Sequence, residues 1–207
     1  LNITKIERQK KNRKRYNIYF DGEFYCGLYD DTILKYQLAA GDEFTEEKIN
    51  EIRDFDEYIF GKKTAFDYLS YRIRTIDEIR RKLKTKKIAD VTISKVIAHL
   101  EELKLVDDEQ FALQFAREKI KNKGLGKKVL MQKFFQKGIS KATGEKVLDK
   151  LFDEVDEKEL VLKQFTRYYP KVKDKEKAEQ KKKIFDYLAG KGFDFDIISE
   201  VIRKNIH

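Results

Sequence analysis

Apolar positions change period along this chain. In the first 28 residues they alternate: Tyr16, Ile18 and Phe20, then Phe24, Cys26 and Leu28, with Asp21-Gly22 between the two runs. Alternation predicts strands with one buried face, and Asp-Gly suits a two-residue hairpin because glycine accepts positive φ without a Cβ clash. Ile3 and Ile6 offer a third strand. The connection RQKKNRKR, residues 8–15, reads as a strongly basic hairpin tip or a disordered one, with a plain solvated turn as the bland alternative. Further on, the period lengthens to that of a helix. A short helix is predicted over Asp31–Leu38, ending near Gly41. Another starts at Thr45, with Glu46 and Glu47 at the positive end of its dipole. Ile49, Ile52, Phe55 (or Asp56), Ile59 and Phe60 form its apolar face, and Gly61-Lys62-Lys63 is the best candidate boundary.

From Thr64 the pattern repeats in triplets of helices. The first unit has Ala65, Tyr68, Leu69 and Ile73 on one helix. Its second helix opens with Thr75-Ile-Asp-Glu78, a capping box, and carries the stripe Ile76, Ile79, Leu83. Its third helix, capped by Asp90 or Thr92, buries Ile93, Val96, Ile97, Leu100 and Leu103. In the second unit Asp107 or Asp108 caps a helix with Phe111, Ala112, Phe115 and Ala116 on one side. Gly124 and Gly126 mark a turn, and a helix with Val129, Leu130, Phe134 and Phe135 follows, stopping at Gly138. Ser140 starts the third helix, with Val147, Leu148, Leu151 and Phe152. In the last unit Asp156 opens a helix through Phe165 and Tyr169, stopped by Pro170. A mixed-charge run leads into Ile184, Phe185 and Leu188, and Asp194 or Asp196 caps the final helix. Lys86-Lys87-Ile88, Lys137-Gly138-Ile139 and Lys191-Gly192-Phe193 fall between second and third helices, spaced 51 and then 54 residues apart. The predicted fold is mostly α: tandem three-helix repeats forming an elongated curved body, with a small N-terminal β-hairpin or sheet extension. The expected divisions are 1–60, 61–106, 107–155 and 156–207.

Charge sharpens this picture. The net charge is +9, but residues 21–57 hold three basic groups against twelve acidic ones, while 61–100 hold eleven against four. Between 117 and 141 nine Lys/Arg face a single acid, Glu118, whereas 142–207 is nearly balanced at fifteen to fourteen. Basic blocks at equivalent places in two units, Arg72–Lys87 and Arg117–Lys137, point to a polyanionic partner: nucleic acid, a nucleoprotein or an acidic protein, ahead of an anionic membrane. Cys26 is alone, so an internal disulfide is excluded and a reducing compartment is expected. No apolar run reaches the ~18 residues of a membrane span. The N-terminal LNITKIERQKKNRKRY lacks the apolar core of a secretory signal, so a cytoplasmic location and no membrane partner are expected.

Catalytic chemistry finds little support. N-capping accounts for Asp107-Asp108, whose adjacent side chains do not face each other. His99 lies beside an apolar stripe and the other histidine is His207, so no histidine triad or metal cluster can be assembled. Gly138-Ile-Ser-Lys-Ala-Thr-Gly144-Glu-Lys146 differs from a phosphate loop in spacing and lacks the following Ser/Thr. Gly124-Leu-Gly126 follows no strand; the backbone N–H groups opening the helix at Lys127 could receive a phosphate, but an ordinary helix–helix turn is the favoured reading of that segment alone. No enzyme activity, cofactor or metal is expected.

Asp107-Asp108-x-x-Phe111-Ala112, Arg117, Gly126 and the Phe134-x-x-Lys137-Gly138-Ile139 ending resemble the RecX family in order and spacing. So does Thr75-x-x-Glu78-x-x-x-x-Leu83 in the first unit. The resemblance covers roughly 62–207 and is densest over 65–141. It implies a non-enzymatic regulator that binds the RecA filament on single- or double-stranded DNA and limits ATP hydrolysis, strand exchange and filament growth; a monomer is expected. The family's basic face maps by position onto Arg72, Arg74, Arg80, Arg81 and Lys84, and onto Arg117, Lys121, Lys123, Lys127 and Lys128. Lys87 stands where the family pattern has glycine, so that turn is expected to differ, and 1–60 is an extension that shorter members lack. The competing reading is a stand-alone DNA- or RNA-binding protein whose basic helices act like helix-turn-helix elements.

Overall fold

The structure is a computed structural model and describes residues 1–206. Three strands, Ile3–Arg8 (β1), Arg15–Phe20 (β2) and Glu23–Tyr29 (β3), form an antiparallel sheet in chain order, so Ile3 does contribute a third strand. Asp21 and Gly22 turn the β2–β3 hairpin, both at positive φ. One expectation fails within this sheet. Ile18 pairs with Cys26 but Tyr19 pairs with Phe24, so a bulge at Tyr25 shifts the register by one residue. A one-residue slip reverses which face a side chain occupies. Phe24 therefore turns outward, 59% exposed and edge-on to Tyr19, while Ile18, Phe20 and Leu28 stay buried.

Helices Asp30–Tyr36 (α1) and Glu46–Leu69 (α2) cover the buried face. Thr45 caps α2 by accepting from the Lys48 N–H, and Ile49 and Ile52 join Ile3, Ile18, Phe20, Leu28 and Leu38 in one core. Burial of each large apolar side chain there contributes about 1.5–3 kcal/mol. Of the two residues offered for the middle of the α2 face, Asp56 is the buried one. Its carboxylate accepts from the Tyr29 N–H and the Thr32 hydroxyl, both at 2.6 Å, with the Arg15 guanidinium 3.8 Å away. A hydrophobicity pattern favours Phe55, but α2 needs an acceptor where β3 ends and α1 begins. Burial raises the Asp56 pKa despite the two hydrogen bonds and the Arg15 charge. Cys26 is half-buried, and burial pushes its thiol up to about 11.

The chain does not break at Gly61-Lys62-Lys63: α2 runs through them for 24 residues. Gly61 is there for closeness, since a Cβ would lie 2.9 Å from Val96 Cγ2 of the helix packed alongside. Ile76–Thr85 (α3) and Asp90–Glu102 (α4) complete the first triplet. The Thr75/Glu78 capping box forms, Thr75 N–H donating to Glu78 and Glu78 N–H to Thr75 Oγ1 at 3.4 and 3.2 Å. Neither Asp90 nor Thr92 caps α4; Ala89 holds that position, and its N–H donates to Glu57. Ile73 and Leu103, placed on buried faces by periodicity, are exposed.

Two compact units result: Leu1–Arg74 with Ile79–Val106, and Thr75–Glu78 with the chain from Asp107 onward. In the latter, Asp108–Lys123 (α5), Lys127–Gln136 (α6) and Lys141–Glu154 (α7) enclose a core of Phe111, Ala112, Ala116, Leu130, Phe134, Ile139 and Leu148. Phe135, expected on the apolar side, is half-exposed. Glu157–Tyr168 (α8), Lys177–Gly190 (α9) and Phe195–Asn205 (α10) enclose Val161, Phe165, Ile184, Leu188, Phe193 and Ile198. Asp107, Ser140, Asp156 and Asp194 cap their helices through side-chain acceptors, as their positions predict.

The three landmark turns share one geometry. Lys87, Gly138 and Gly192 have φ of 60°, 74° and 89°, and the next residue's N–H donates back to Leu83, Phe134 or Leu188 O. The second and third turns also carry a docked helix end. Gly126 N–H donates to Lys191 O at 2.8 Å and Lys128 N–H to Gly192 O at 3.1 Å, seating the start of α6 on the α9–α10 turn. In the same way the first turn of α3 meets the α6–α7 turn: Thr75 Oγ1 donates to Lys137 O at 2.8 Å, and Lys137 Nζ pairs with Glu78 at 2.9 Å. A Cβ on Gly138 would collide with Asp77, and one on Gly126 would lie 2.5 Å from Gly192 O. Lys87 is exposed, and a left-handed turn without a docked helix tolerates a side chain. The turn at Lys87 thus keeps the backbone geometry of the other two but differs from them, as expected from sequence, in carrying no docked helix start among the described residues.

Replacing Lys87 by Gly relieves a left-handed penalty of ~1–2 kcal/mol against ~0.5–1 kcal/mol of added chain entropy. A gain of about 0.5–1 kcal/mol is expected in urea denaturation, whereas Gly126→Ala is expected to lose at least ~2 kcal/mol. Asp56 binds its proton more tightly folded than unfolded, so its contribution is full below the unfolded value of 3.8 and is lost as pH rises through the folded pKa. Relative to Asp56→Asn, the wild type should therefore gain stability as pH is lowered through the carboxylate range, read from thermal melts at successive pH values.

Candidate polyanion-binding faces

The ten basic residues singled out from sequence divide between the two units, five in each. In the first unit, Arg72 is exposed, its guanidinium donating to Ile73 O at 2.7 Å on a segment that also exposes Tyr71. Arg74 is not a free cation. Its guanidinium stacks 3.9 Å over the Tyr68 ring and donates to Tyr68 O. On α3, Arg80 is half-buried on the flank of the Ile79 and Leu83 stripe, and Arg81 is exposed on the side away from it. Lys84 pairs with Asp90 at 3.0 Å, both side chains more than half exposed.

In the second unit Arg117 pairs with Glu154 at 3.4 Å, and Lys127 pairs with Asp149. Lys128 lies 3.6 Å from Asp194 and 4.2 Å over the Phe195 ring. Lys121 and Lys123 are exposed on the last turn of α5, where they also complement the negative end of its dipole. Several of these charges thus have acidic neighbours that sequence spacing does not reveal, because the acids come from α7 and α10. Exposed pairs of this kind contribute only ~0–1 kcal/mol, so a phosphate can exchange for the carboxylate at small cost.

One possibility left open by the sequence is removed here. The N–H groups opening α6 do not form a phosphate site: Lys191 O and Gly192 O occupy those of Gly126 and Lys128. Gly144, which spacing sets apart from a phosphate loop, is a helix residue. It lies inside α7, where a Cβ would meet Met131 Sδ at 2.9 Å. Asp107 accepts from the Glu109 and Gln110 N–H groups and Asp108 from the Ile76 N–H, so both are structural. His99 rests beside the Tyr58 ring, and His207 lies outside the described residues. Among the described residues no group of three or more His, Cys, Asp or Glu could hold a metal, and no helix is long and apolar enough to cross a membrane.

Balanced composition hid a further basic cluster in the last three helices. Lys181, Lys182 and Arg203 surround Phe185 in an open groove between α9 and α10. The triple lysine at 181–183 was the available signal, diluted in composition by nearby acids such as Glu179, which pairs with Lys183. Lys191 is a second omission: its ammonium donates to Lys123 O at 2.7 Å. Burial and then the charges of Arg167 and Lys123 lower its pKa, which marks a locally positive potential.

A small sheet followed by three-helix domains that expose basic residues defines a mostly helical protein built of tandem three-helix domains. Four family models cover the chain: the regulatory protein RecX N-terminal domain over 1–45, and the first, second and third RecX three-helix domains over 62–100, 107–148 and 156–202. The chain is 35% identical over 202 residues to regulatory protein RecX of Bacillus licheniformis, spanning 98% of this chain and 76% of that one. It is 32% identical to regulatory protein RecX of Staphylococcus aureus, spanning 98% and 74%. A crystal structure of regulatory protein RecX superposes with a TM-score of 0.77 at 28% identity over 99% of both chains. RecX from Lactobacillus salivarius gives 0.67 at 28% identity over 72% of this chain and 96% of that one. The chain belongs to the RecX family, whose members are non-enzymatic regulators. Residues 1–45 are part of the resemblance, although the sequence reading began it at 62.

If the acidic neighbours only tune surface charge, Glu154→Gln and Asp149→Asn should each change stability by less than ~1 kcal/mol in urea denaturation while raising net positive charge. A larger loss from either would make that ion pair a structural fastening and remove Arg117 or Lys127 from the exchangeable set.

Proposed function

We propose that this protein binds the RecA filament on DNA and restrains its ATP hydrolysis, strand exchange and growth during recombination and DNA repair, acting as a cytoplasmic monomer. The observation that carries this reading is the match of all four RecX domain models, in order, along the chain. The chemistry is compatible with it. A nucleoprotein filament presents phosphates and acidic protein surface, and Arg81, Lys121 and Lys123 are exposed on helices that bury another side, with Arg80 half-buried beside Arg81. Lys84, Arg117, Lys127 and Lys128 supply further charge that exchanges weak intramolecular pairs for intermolecular ones, Arg72 adds a guanidinium bonded to the backbone at Ile73, and Arg74 positions the segment through Tyr68.

The test is RecA's ATPase on single-stranded DNA with sub-stoichiometric amounts of this protein. Inhibition is expected, relieved severalfold by reversing charge at Arg80/Arg81 or at Lys121/Lys123. A full ATPase rate in the presence of wild-type protein would overturn the reading. Unchanged inhibition by both double variants would take those residues out of the contact.

A further inference from the structure

The β1–β2 connection is the most cationic stretch that the helical faces leave unused. We propose that this hairpin tip is a separate contact for the phosphate backbone of a polynucleotide, carried by Lys10, Lys11, Arg13 and Lys14 and independent of RecA.

The tip is an ordered turn. Gln9 N–H donates to Arg15 O and Arg15 N–H to Asn12 O, at 2.9 and 3.0 Å. The Asn12 side chain accepts from the Lys14 N–H at 3.1 Å, and Arg8 Nε donates across the turn to Arg13 O at 2.7 Å. Lys14 O is held in turn by the Asp30 N–H at 3.0 Å. The turn is therefore framed before any ligand arrives, and little backbone entropy is left to lose on binding.

Lys10, Lys11, Arg13 and Lys14 are exposed, and among the described residues no carboxylate lies within ion-pairing distance of them. Partners are not scarce, since residues 21–57 of the same unit carry twelve acids against three bases. Glu7, the acid on β1, is paired with Lys5 at 3.2 Å. On the helical faces, by contrast, Lys84, Arg117, Lys127 and Lys128 each lie beside an acid.

Chemistry selects the partner class. Residues 8–15 contain no apolar side chain. A protein interface draws most of its energy from buried aromatic or aliphatic anchors, and a membrane-surface element needs an apolar wedge. A nucleic-acid backbone needs neither; lysine and arginine at a polar, wet contact suffice, without sequence preference.

The experiment is fluorescence anisotropy of the full chain with labelled single-stranded and duplex DNA, RecA absent, between ~50 and ~200 mM salt. Lys10→Ala/Lys11→Ala/Arg13→Ala/Lys14→Ala keeps Arg8 and Arg15, which hold the turn and the sheet. Its slope of log affinity against log salt should be shallower by roughly 3, about 0.7–0.9 for each phosphate no longer neutralised, with affinity at least tenfold weaker at low salt. The milder Lys10→Gln/Lys11→Gln should lose about half as much slope, and thermal melts confirm that both variants fold. The two DNA arms identify which backbone is bound. An unchanged slope in folded variants would overturn the proposal, as would a loss seen only against the RecA filament with naked DNA binding intact, since the tip would then read acidic protein. Failure of RecA inhibition by the wild type bears on the regulatory function alone.

Discussion

The seating of a helix start on a left-handed turn is the contact on which the helical part of this chain depends. A helix begins with N–H groups that lack intrahelical partners, and the turn after a second helix offers carbonyls that point outward. Bringing them together satisfies both sets at once, as Gly126 and Lys128 do on Lys191 and Gly192. The geometry requires backbone-to-backbone approach, so the turn residue must accept positive φ and also lack a Cβ. Gly192 meets both needs: its Cβ would fall 2.5 Å from the Val129 nitrogen. Gly138 meets both under the first turn of α3. Lys87 meets only the first need, and of these three turns it is the one without glycine.

The same contact explains why α6 carries no anion site. A free helix N-terminus with a glycine before it is ready to receive a phosphate, and α6 has that sequence. Here its donors are consumed in holding neighbouring helices together. Under the proposed function, contact with a polyanion therefore falls to side chains, where exposed pairs are cheap to exchange. That arrangement suits binding to a long anion, because many weak and equivalent contacts sum to affinity without demanding a fixed register.

The N-terminal sheet follows a different logic. It is fastened by a buried carboxylate rather than by helix ends: Asp56 gathers the Tyr29 N–H and the Thr32 hydroxyl near Arg15, joining sheet, α1 and α2. Arg15 serves this interior network while Lys14 beside it stays exposed. One short basic run is thus split by the fold into an anchor and a tip.

Local chemistry was legible from residues alone. Period, caps and turn glycines placed the strands, the capping box at Thr75 and the caps at Asp107, Ser140, Asp156 and Asp194, because each depends on neighbours within four residues. Basic blocks on α3 and α5–α6 were equally visible as composition. What lay beyond the sequence were choices settled by distant groups: the bulge that turns Phe24 out, the acceptor role that buries Asp56 in place of Phe55, and the unbroken course of α2 through Gly61. The acids that face Arg117, Lys127 and Lys128 belong to the same set. Sequence determined which segments are helical and where cations concentrate, since both follow from short-range periodicity and charge. Tertiary structure alone decided which donors and charges remain available, because that depends on what the fold packs against them.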